Sequence, residues 1–184
     1  MLEEKNKTLL LKLAAASVKY GLDHHQPLPI NVDEYPDELR QNGAGFVTLQ
    51  IDNELRGCIG TLEAYQPLVA DVVQNAYAAA FRDPRFPALR ADEYAQLHYH
   101  ISVLNPPQPM EFASEADLLA QLRPHIDGLI LSDAGRRGTF LPSVWESLPQ
   151  PRDFLTHLKL KAGLSAGHWS DTIHVQRYTV EDIE

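Results

Sequence analysis

Two β-type runs separated by only two residues are the strongest constraint on how this chain folds. Residues 46–51 read FVTLQI and residues 54–62 read ELRGCIGTL, with Asp52 and Asn53 between them. Asp and Asn tolerate the left-handed backbone conformation that a two-residue hairpin turn requires. The pattern predicts an antiparallel hairpin. Both of its faces are mostly apolar, so we expect it to be covered on both sides.

Helical and β-type segments alternate along the rest of the chain. The clearest helix is PLVADVVQNAYAAAF, with Pro67 in its first turn and Asp83-Pro84 as its stop. Its expected buried stripe is Leu68, Val72, Val73, Ala76, Tyr77 and Ala80. Further helices are expected at the N-terminus, ending near Gly21, and over 114–122, where Ser114 and Asp117 form a near capping box. The segment 152–164 should be an amphipathic helix with Gly163 as its terminator. Further strands are expected over 97–104, 129–131, 139–141 and 173–180.

This order of elements predicts the fold class. Strands and helices interleave, yet the chain also contains hairpins, including one over 129–141 with Arg136 and Arg137 at its tip. We therefore expect an α+β fold, built as a mixed β-sheet flanked by helices with a smaller second lobe. Residues 1–184 are expected to form a single domain, with a division into two lobes left open.

Composition excludes several functional classes. The formal net charge of −9 argues against general nucleic-acid binding, whose affinity comes largely from neutralising phosphates. No apolar run approaches the roughly 18 residues of a membrane span, and the N-terminus lacks the basic start of a signal peptide. The single cysteine cannot form an internal disulfide, which fits a reducing compartment. We expect a cytoplasmic protein, in which a local basic pocket for a small anion is still allowed.

That cysteine, Cys58, lies two residues after Arg56 in the segment LRGCIG. With Asp52 and Asn53 as the turn, Leu49 faces Arg56 and Val47 faces Cys58, so the thiol and the guanidinium share one face. A guanidinium is rarely buried alone, because desolvating its charge is costly. Arg56 is therefore expected to meet a carboxylate, open into a cleft or hold an anion.

Two interpretations of this segment stay open. In the functional one, Arg56 faces a cleft and stabilises the Cys58 thiolate as a nucleophile, or as a ligand of a metal or cofactor. In the packing one, Cys58 is a small buried residue and Arg56 pairs with an acid. Gly57 and Gly60 allow the close approach of a ligand, and equally of a packed helix.

The histidines and a second pair of arginines are weaker signals. His98 and His100 share a face of one strand, but no third ligand is visible, so solvent-facing histidines are favoured over a metal site. Gly135-Arg136-Arg137-Gly138 would suit a phosphate, although a soluble turn is the simpler interpretation. Neither a phosphate loop nor a Gly-x-Ser-x-Gly nucleophile elbow is present. We assign no metal site and no cofactor.

The loop DPRFPAL, residues 83–89, is more informative. Its two prolines and its aromatic residue make it rigid, so the charges of Asp83 and Arg85 are held in place. Such a loop lines a site, or it locks the end of the preceding helix with Asp83 paired to Arg56 or Arg85.

Several segments in a fixed order resemble one family. They are FVTL, LRGCIGTL, AYAAAFRDPRFPAL, HISVLNPP, GTFLPSVW and DFLTHLKLKAGL, followed by Trp169. Together they resemble the AMMECR-type domain, also called AmmeMemoRadiSam system protein A, from about Leu9 to the C-terminus. The resemblance implies an α+β fold with a larger and a smaller lobe, and partnership with a Memo-type protein and a radical S-adenosylmethionine enzyme. It also implies that the LRGCIG segment, Leu55 to Gly60, is functionally important, without supplying a reaction.

Two hypotheses about function follow. In the first, the protein is an enzyme or enzyme component acting on a nucleotide-like or other anionic small molecule. Cys58 is its nucleophile or ligand, Arg56 and Arg85 hold the anion, Asp83 orients one arginine, and Gly57 and Gly60 let the substrate approach the backbone. In the second, it is a non-catalytic adaptor that binds partner proteins through Pro27-Leu28-Pro29 and its hairpin tips.

Overall fold

The computed structural model describes residues 1–184, which form five α-helices and ten strands. The helices are α1 (Glu4–His24), α2 (Asp37–Arg40), α3 (Leu68–Phe81), α4 (Glu115–Gln121) and α5 (Pro151–Lys161). The strands are β1 (Asn42–Gly43), β2 (Gly45–Ile51), β3 (Glu54–Gly60), β4 (Gln66–Pro67), β5 (His98–Leu104), β6 (Gln108–Pro109), β7 (Gly128–Asp133), β8 (Arg136–Phe140), β9 (His174–Tyr178) and β10 (Val180–Ile183). Short 3₁₀ turns occupy Val32–Glu34, Tyr94–Gln96 and Pro142–Glu146. None of the helices combines the length and the apolar character needed to cross a bilayer.

The chain divides into two compact units. The first unit is Met1–Leu104 with Glu181–Glu184, and the second unit is Asn105–Val180. The first contains a four-stranded sheet in the order β10-β5-β2-β3 and the small pair β1-β4, and the second contains a sheet in the order β6-β9-β7-β8. Every strand pair with a defined register is antiparallel, so these pairs differ from the mixed strand directions that the sequence predicts. The α+β class, with sheets flanked by helices, is confirmed.

Helices α1 and α3 cover one face of the first unit's sheet. Every residue of the predicted α3 stripe is buried, as are Val47, Leu49 and Ile101 on the strands beneath. Helix α1 continues to His24 instead of ending near Gly21. Gly21 therefore lies inside the helix, where an added Cβ would approach the Phe81 ring to 2.5 Å. This glycine serves the close packing of α1 on α3.

The predicted turn between β2 and β3 is confirmed. Asp52 and Asn53 have φ values of 52° and 64°, in the left-handed region, as a two-residue hairpin turn of type I′ requires. The register beyond the turn differs from the expected one. Gln50 pairs with Leu55, but Leu49 then pairs with Gly57, which leaves Arg56 as the extra residue of a β-bulge.

The second unit confirms three local predictions. Ser114 caps α4 by accepting the N–H of Asp117 at 3.1 Å, and Asp117 accepts the N–H of Ala113 at 2.9 Å. Helix α5 ends before Gly163, whose φ is 78°. The hairpin of β7 and β8 is also present. The hydrophobic core of the second unit contains Trp145 stacked on Phe154, with ring centroids 3.8 Å apart.

Two expectations about this part of the chain are wrong. The tip of the β7–β8 hairpin is Ala134-Gly135, and Arg136 and Arg137 belong to strand β8, because the strands extend closer to the turn than their apolar residues indicate. The expected single strand over 173–180 is two strands, β9 and β10, which lie in different sheets. A continuous β-type run does not reveal that the chain changes sheet near Thr179.

Candidate functional site

Cys58 lies on β3, the edge strand of the first unit's sheet. Because of the bulge at Arg56, Cys58 is opposite Thr48 instead of Val47, so the expected placement of Cys58 beside Val47 and Leu49 is wrong. The Thr48 hydroxyl Oγ1 donates to the Cys58 sulfur at 3.2 Å. The thiol is free and half-buried, so it is neither sealed in the core nor fully in solvent.

The DPRF loop binds the backbone of Cys58 from outside the sheet. Asp83 accepts the backbone N–H of Cys58 at 2.9 Å, and the Arg85 guanidinium donates to the Cys58 carbonyl at 3.2 Å. An edge strand presents unpaired backbone donors and acceptors, and these two side chains satisfy both groups of one residue. LRGCIG and DPRF are therefore brought together, as a backbone clasp around Cys58.

The clasp depends on an ion pair within the loop. Arg85 donates to Asp83 through Nε at 3.0 Å and through Nη2 at 2.7 Å, and the Arg85 backbone N–H adds a third bond at 3.0 Å. These bonds from Arg85, together with the N–H of Cys58, hold the pKa of Asp83 well below its usual range. The Asp83 side chain is only 1% exposed, whereas that of Arg85 is 56% exposed. One end of the clasp is thus fixed and ionised, and the other still faces solvent.

Arg56 has a different partner. Its guanidinium binds the Glu93 carboxylate through two bonds, Nε to Oε1 at 2.8 Å and Nη2 to Oε2 at 3.1 Å, and also donates to the carbonyl of Pro87 at 3.0 Å. The side chains of Arg56 and Glu93 are only 11% and 19% exposed. Of the roles that the sequence left open for Arg56, pairing with a carboxylate is the one present. The carboxylate belongs to Glu93 instead of the DPRF loop.

Phe86 joins the two arginines. The Arg56 Cζ atom lies 6.0 Å from the centroid of the Phe86 ring, and the Arg85 Cζ atom lies 5.6 Å from it. Both distances are in the range of cation–π contacts. The aromatic residue of DPRF therefore contributes to holding both guanidinium groups beside the edge strand.

The two glycines of LRGCIG contact protein atoms. A Cβ at Gly57 would lie 2.1 Å from the carbonyl oxygen of Ala79 in α3, and a Cβ at Gly60 would lie 2.3 Å from the Phe46 ring. The space beside these glycines is therefore occupied by α3 and by Phe46. This agrees with the interpretation in which the glycines allow close packing of protein atoms, and not with the one in which a ligand approaches them.

The sheet face that carries Cys58 also carries a histidine bound to two carboxylates. Thr48 pairs with Cys58 on one side and with His100 on the other, so these three side chains share a face. His100 Nε2 lies 2.9 Å from Asp182 Oδ1, and Nδ1 lies 3.0 Å from Glu184 Oε1. No group of three or more His, Cys, Asp or Glu side chains is arranged to hold a metal ion.

The first unit contains cavities away from the clasp. One of about 520 Å³ lies beside His98, His100 and Glu184, and one of about 460 Å³ lies between α3 and residues 27–32. Neither is lined by a residue of LRGCIG or DPRF. The Cys58 clasp is therefore an edge of the sheet with an exposed guanidinium, separate from both cavities.

Sequence reasoning identified Cys58, Asp83 and Arg85 as neighbours but missed four participants. Thr48 was missed because it lies opposite Cys58 only as a result of the bulge at Arg56. Glu93 was missed because it lies 37 residues from Arg56 with no local signal. The carboxylates at His100 were missed because Asp182 and Glu184 lie at the end of the chain, 82 and 84 residues away.

Comparisons with known proteins agree with the resemblance seen in the motifs. The AMMECR1 family model matches residues 11–183. A protein of Methanothermobacter thermautotrophicus is 37% identical over 160 residues, covering 84% of this chain and 81% of its own length. A protein of Thermotoga maritima is 40% identical over 152 residues, covering 81% of this chain and 82% of its own length.

A solved structure shares the fold. The crystal structure of a protein from Pyrococcus horikoshii, described as uncharacterized, superposes with a TM-score of 0.85 at 29% identity. The match covers 98% of this chain and 92% of that one. With the family model spanning nearly the whole sequence and relatives above 30% identity, the chain belongs to the AMMECR1 family.

Proposed function

We propose that this AMMECR1-family protein is an enzyme, or a component of one, that acts on an anionic small molecule of nucleotide-like type at Cys58. The observation that carries the proposal is the clasp: Asp83 and Arg85 fix the backbone of Cys58, while its half-buried sulfur receives the Thr48 hydroxyl. A free thiol held in one position, with donors around it, is suited to act as a nucleophile or as a ligand.

Arg85 is the residue assigned to the substrate. The Arg85 side chain is 56% exposed although its guanidinium bonds to Asp83 and to the Cys58 carbonyl. In this proposal the solvent-facing side of the guanidinium binds a phosphate or carboxylate. Asp83 orients Arg85 and is a positioning residue. The charge of Arg56 is already matched by Glu93, so in this proposal Arg56 braces the bulge and does not bind the substrate.

Alkylation of the native protein tests the assignment. Iodoacetate carries a negative charge and iodoacetamide does not, so the ratio of their rates at Cys58 reports the positive potential beside the sulfur. We expect a higher ratio than for free cysteine at the same pH, and a fall of about threefold or more in Arg85→Gln. Cys58→Ser abolishes labelling by both reagents.

Arg90 supplies the matched control, because Arg90–Asp92 is another exposed arginine paired with an aspartate two positions away. Arg90→Gln should leave the ratio unchanged. A Cys58 that reacts only after unfolding, or a ratio that Arg85→Gln does not alter, would contradict the proposal. The ratio cancels changes in access of the thiol, so a loosened clasp alone does not mimic the expected result.

We also propose that the protein works with a Memo-type protein and a radical S-adenosylmethionine enzyme, as the resemblance implies. Isothermal titration with the purified proteins of one organism tests this. Heat of binding between at least one pair supports the partnership, and its absence for both pairs contradicts it.

A non-catalytic adaptor is the second candidate function. The observation in its favour is strand β8, an edge strand of the second unit's sheet that exposes Arg136 and Arg137. Edge strands readily pair with other chains. An adaptor role predicts that Cys58→Ala leaves partner binding unchanged and that Arg136→Glu weakens it, whereas the enzyme proposal predicts loss of turnover in Cys58→Ala.

A further inference from the structure

The first unit contains a groove that the Cys58 site does not use. Its floor and one wall come from α3, and the other wall is the proline-rich segment 27–32. The volume of about 460 Å³ is within the range of small-molecule sites. The lining combines polar groups with apolar side chains, the latter including Pro27, Leu28, Pro29, Ile30, Val73 and Ala78.

The groove is held open by bonds to the core. The Leu28 N–H donates to Ser17 Oγ at 3.3 Å, and that hydroxyl donates to the Val73 carbonyl at 2.8 Å. The Tyr77 hydroxyl donates to the His25 carbonyl at 2.7 Å. The side chains of Leu28, Ile30 and Val32 also pack on the hydrophobic core. A ligand would therefore enter a preformed site and would not have to order a loop.

Most polar groups in the lining are already engaged. Asn75 Nδ2 donates to Asp71 at 2.9 Å and to the Gly45 carbonyl at 3.2 Å, and the Tyr77 hydroxyl is used as described. The prolines have no N–H to offer. Arg82, at the end of α3, is the one charged residue of the lining.

Arg82 differs from the other arginines of the first unit. Four arginines pair with carboxylates, as Arg40–Asp37, Arg56–Glu93, Arg85–Asp83 and Arg90–Asp92. Arg82 is exposed and has no carboxylate partner; its guanidinium carbon lies 5.2 Å from the centroid of the Tyr77 ring, at the edge of the groove. In a chain with 25 acidic and 16 basic residues, an unpaired guanidinium beside an apolar hollow provides charge complementarity for an anion.

We propose that this groove binds a small organic acid with an aromatic or aliphatic body. The body lies against the prolines and the alanines of α3, and the carboxylate pairs with the Arg82 guanidinium. Burial of apolar surface supplies most of the affinity, and the single cation selects an anionic over a neutral ligand. The site is separate from Cys58 and does not depend on the reaction proposed there.

Two ligands with the same carbon skeleton test the proposal, namely 4-phenylbutyrate and 4-phenylbutanol. We expect the wild-type protein to bind the acid about fivefold more tightly than the alcohol in isothermal titration, as an exposed ion pair allows. In NMR spectra, the largest changes in backbone amide chemical shift on binding should be at and around Val73 and Ala78. Arg82→Gln should abolish the preference for the acid, and Arg82→Lys should keep part of it.

A second test of the proposal uses a variant in which a larger side chain fills the groove. Ala78→Leu places a larger side chain in the lining and should weaken both ligands at least tenfold, whereas Ala120→Leu, at an exposed helical alanine of the second unit, should change neither. Far-ultraviolet circular dichroism and melting curves verify that each variant is folded. Failure of the acid to bind at millimolar concentration, shifts centred elsewhere, or a preference that survives Arg82→Gln would overturn the proposal.

Discussion

The Asp83 carboxylate accepts the backbone N–H of Cys58 at 2.9 Å, across 25 residues of sequence. Together with the bond from Arg85 to the Cys58 carbonyl at 3.2 Å, it satisfies both backbone groups of one edge-strand residue. In the interior of a sheet, a neighbouring strand would supply these two hydrogen bonds. This arrangement explains why LRGCIG and DPRF occur together. Each segment supplies the hydrogen-bond partners that the other would otherwise lack.

Removing the charge of Asp83 should destabilise the first unit. Asp83→Asn weakens a buried carboxylate's bonds to Cys58 and Arg85, and we expect a loss of about 2 kcal/mol at pH 7 by urea denaturation. The folded pKa of Asp83 lies below its unfolded value, so its contribution is complete above the unfolded pKa of about 4 and fades as pH falls below it.

The control for this experiment is Asp92→Asn, because Asp92 pairs with Arg90 on the surface and its side chain is 68% exposed. That change should leave the free energy of unfolding nearly unchanged, because exposed ion pairs contribute little to stability. Equal effects of the two substitutions at pH 7 would show that the clasp contributes nothing beyond an ordinary surface ion pair.

Adding a single methyl group at Gly57 should be severely destabilising. The Cβ of Gly57→Ala would lie 2.1 Å from the Ala79 carbonyl oxygen, a backbone atom that cannot move without shifting α3. We expect a loss of about 3 kcal/mol or more in chemical denaturation. Gly167→Ala, where no atom lies within 4 Å of the new Cβ, should stay within about 0.5 kcal/mol of wild type.

The Arg56–Glu93 pair should show measurable coupling. In a double-mutant cycle with Arg56→Gln and Glu93→Gln, we expect a coupling energy of about 1–2 kcal/mol, because both side chains are mostly buried and doubly bonded. The same cycle on the exposed pair Arg90–Asp92 should give a clearly smaller coupling energy, because solvent screens an exposed ion pair. The bonds from Arg56 lower the pKa of Glu93, so the coupling should decline in acid as Glu93 is protonated. Coupling that persists unchanged in acid would argue against an ionic pair.

A carboxylate in the second unit should make stability depend on pH. Asp133 accepts bonds from His168 at 2.5 Å, Ser170 at 2.7 Å and Thr172 at 2.8 Å, and these lower its pKa to about 2. A lowered folded pKa means that Asp133 stabilises the native state above about pH 4 and loses this effect towards pH 2. Asp133→Asn should therefore lower Tm near neutrality, and the difference from wild type should shrink on acidification.

Asp171→Asn serves as the comparison for that titration, because Asp171 is exposed and lies in the same loop as Ser170 and Thr172. It should leave Tm nearly unchanged at every pH. A difference between Asp133→Asn and wild type that stays constant down to pH 2 would mean that the ionised carboxylate is not what stabilises the loop.

Local patterns along the chain were sufficient to predict most elements. The Asp52-Asn53 turn, helix α3 with its buried stripe, the Ser114 cap and the end of α5 before Gly163 each depend on neighbours within a few residues. The same short-range patterns indicated that Cys58, Asp83 and Arg85 are notable residues. They did so because a lone thiol and a rigid charged loop are unusual in themselves.

The arrangement of these residues was decided by tertiary contacts. The bulge at Arg56 moved Cys58 from the face of Val47 to the face of Thr48, and a one-residue shift of this kind leaves no mark in the alternation of a strand that is apolar on both faces. Glu93 reaches Arg56, and Asp83 reaches Cys58, across stretches of chain that hydrophobic periodicity does not connect. The periodicity of apolar side chains identifies helices and strands because it depends only on neighbouring residues. Which carboxylate pairs with which arginine depends on distances that exist only after the helices have packed on the sheet.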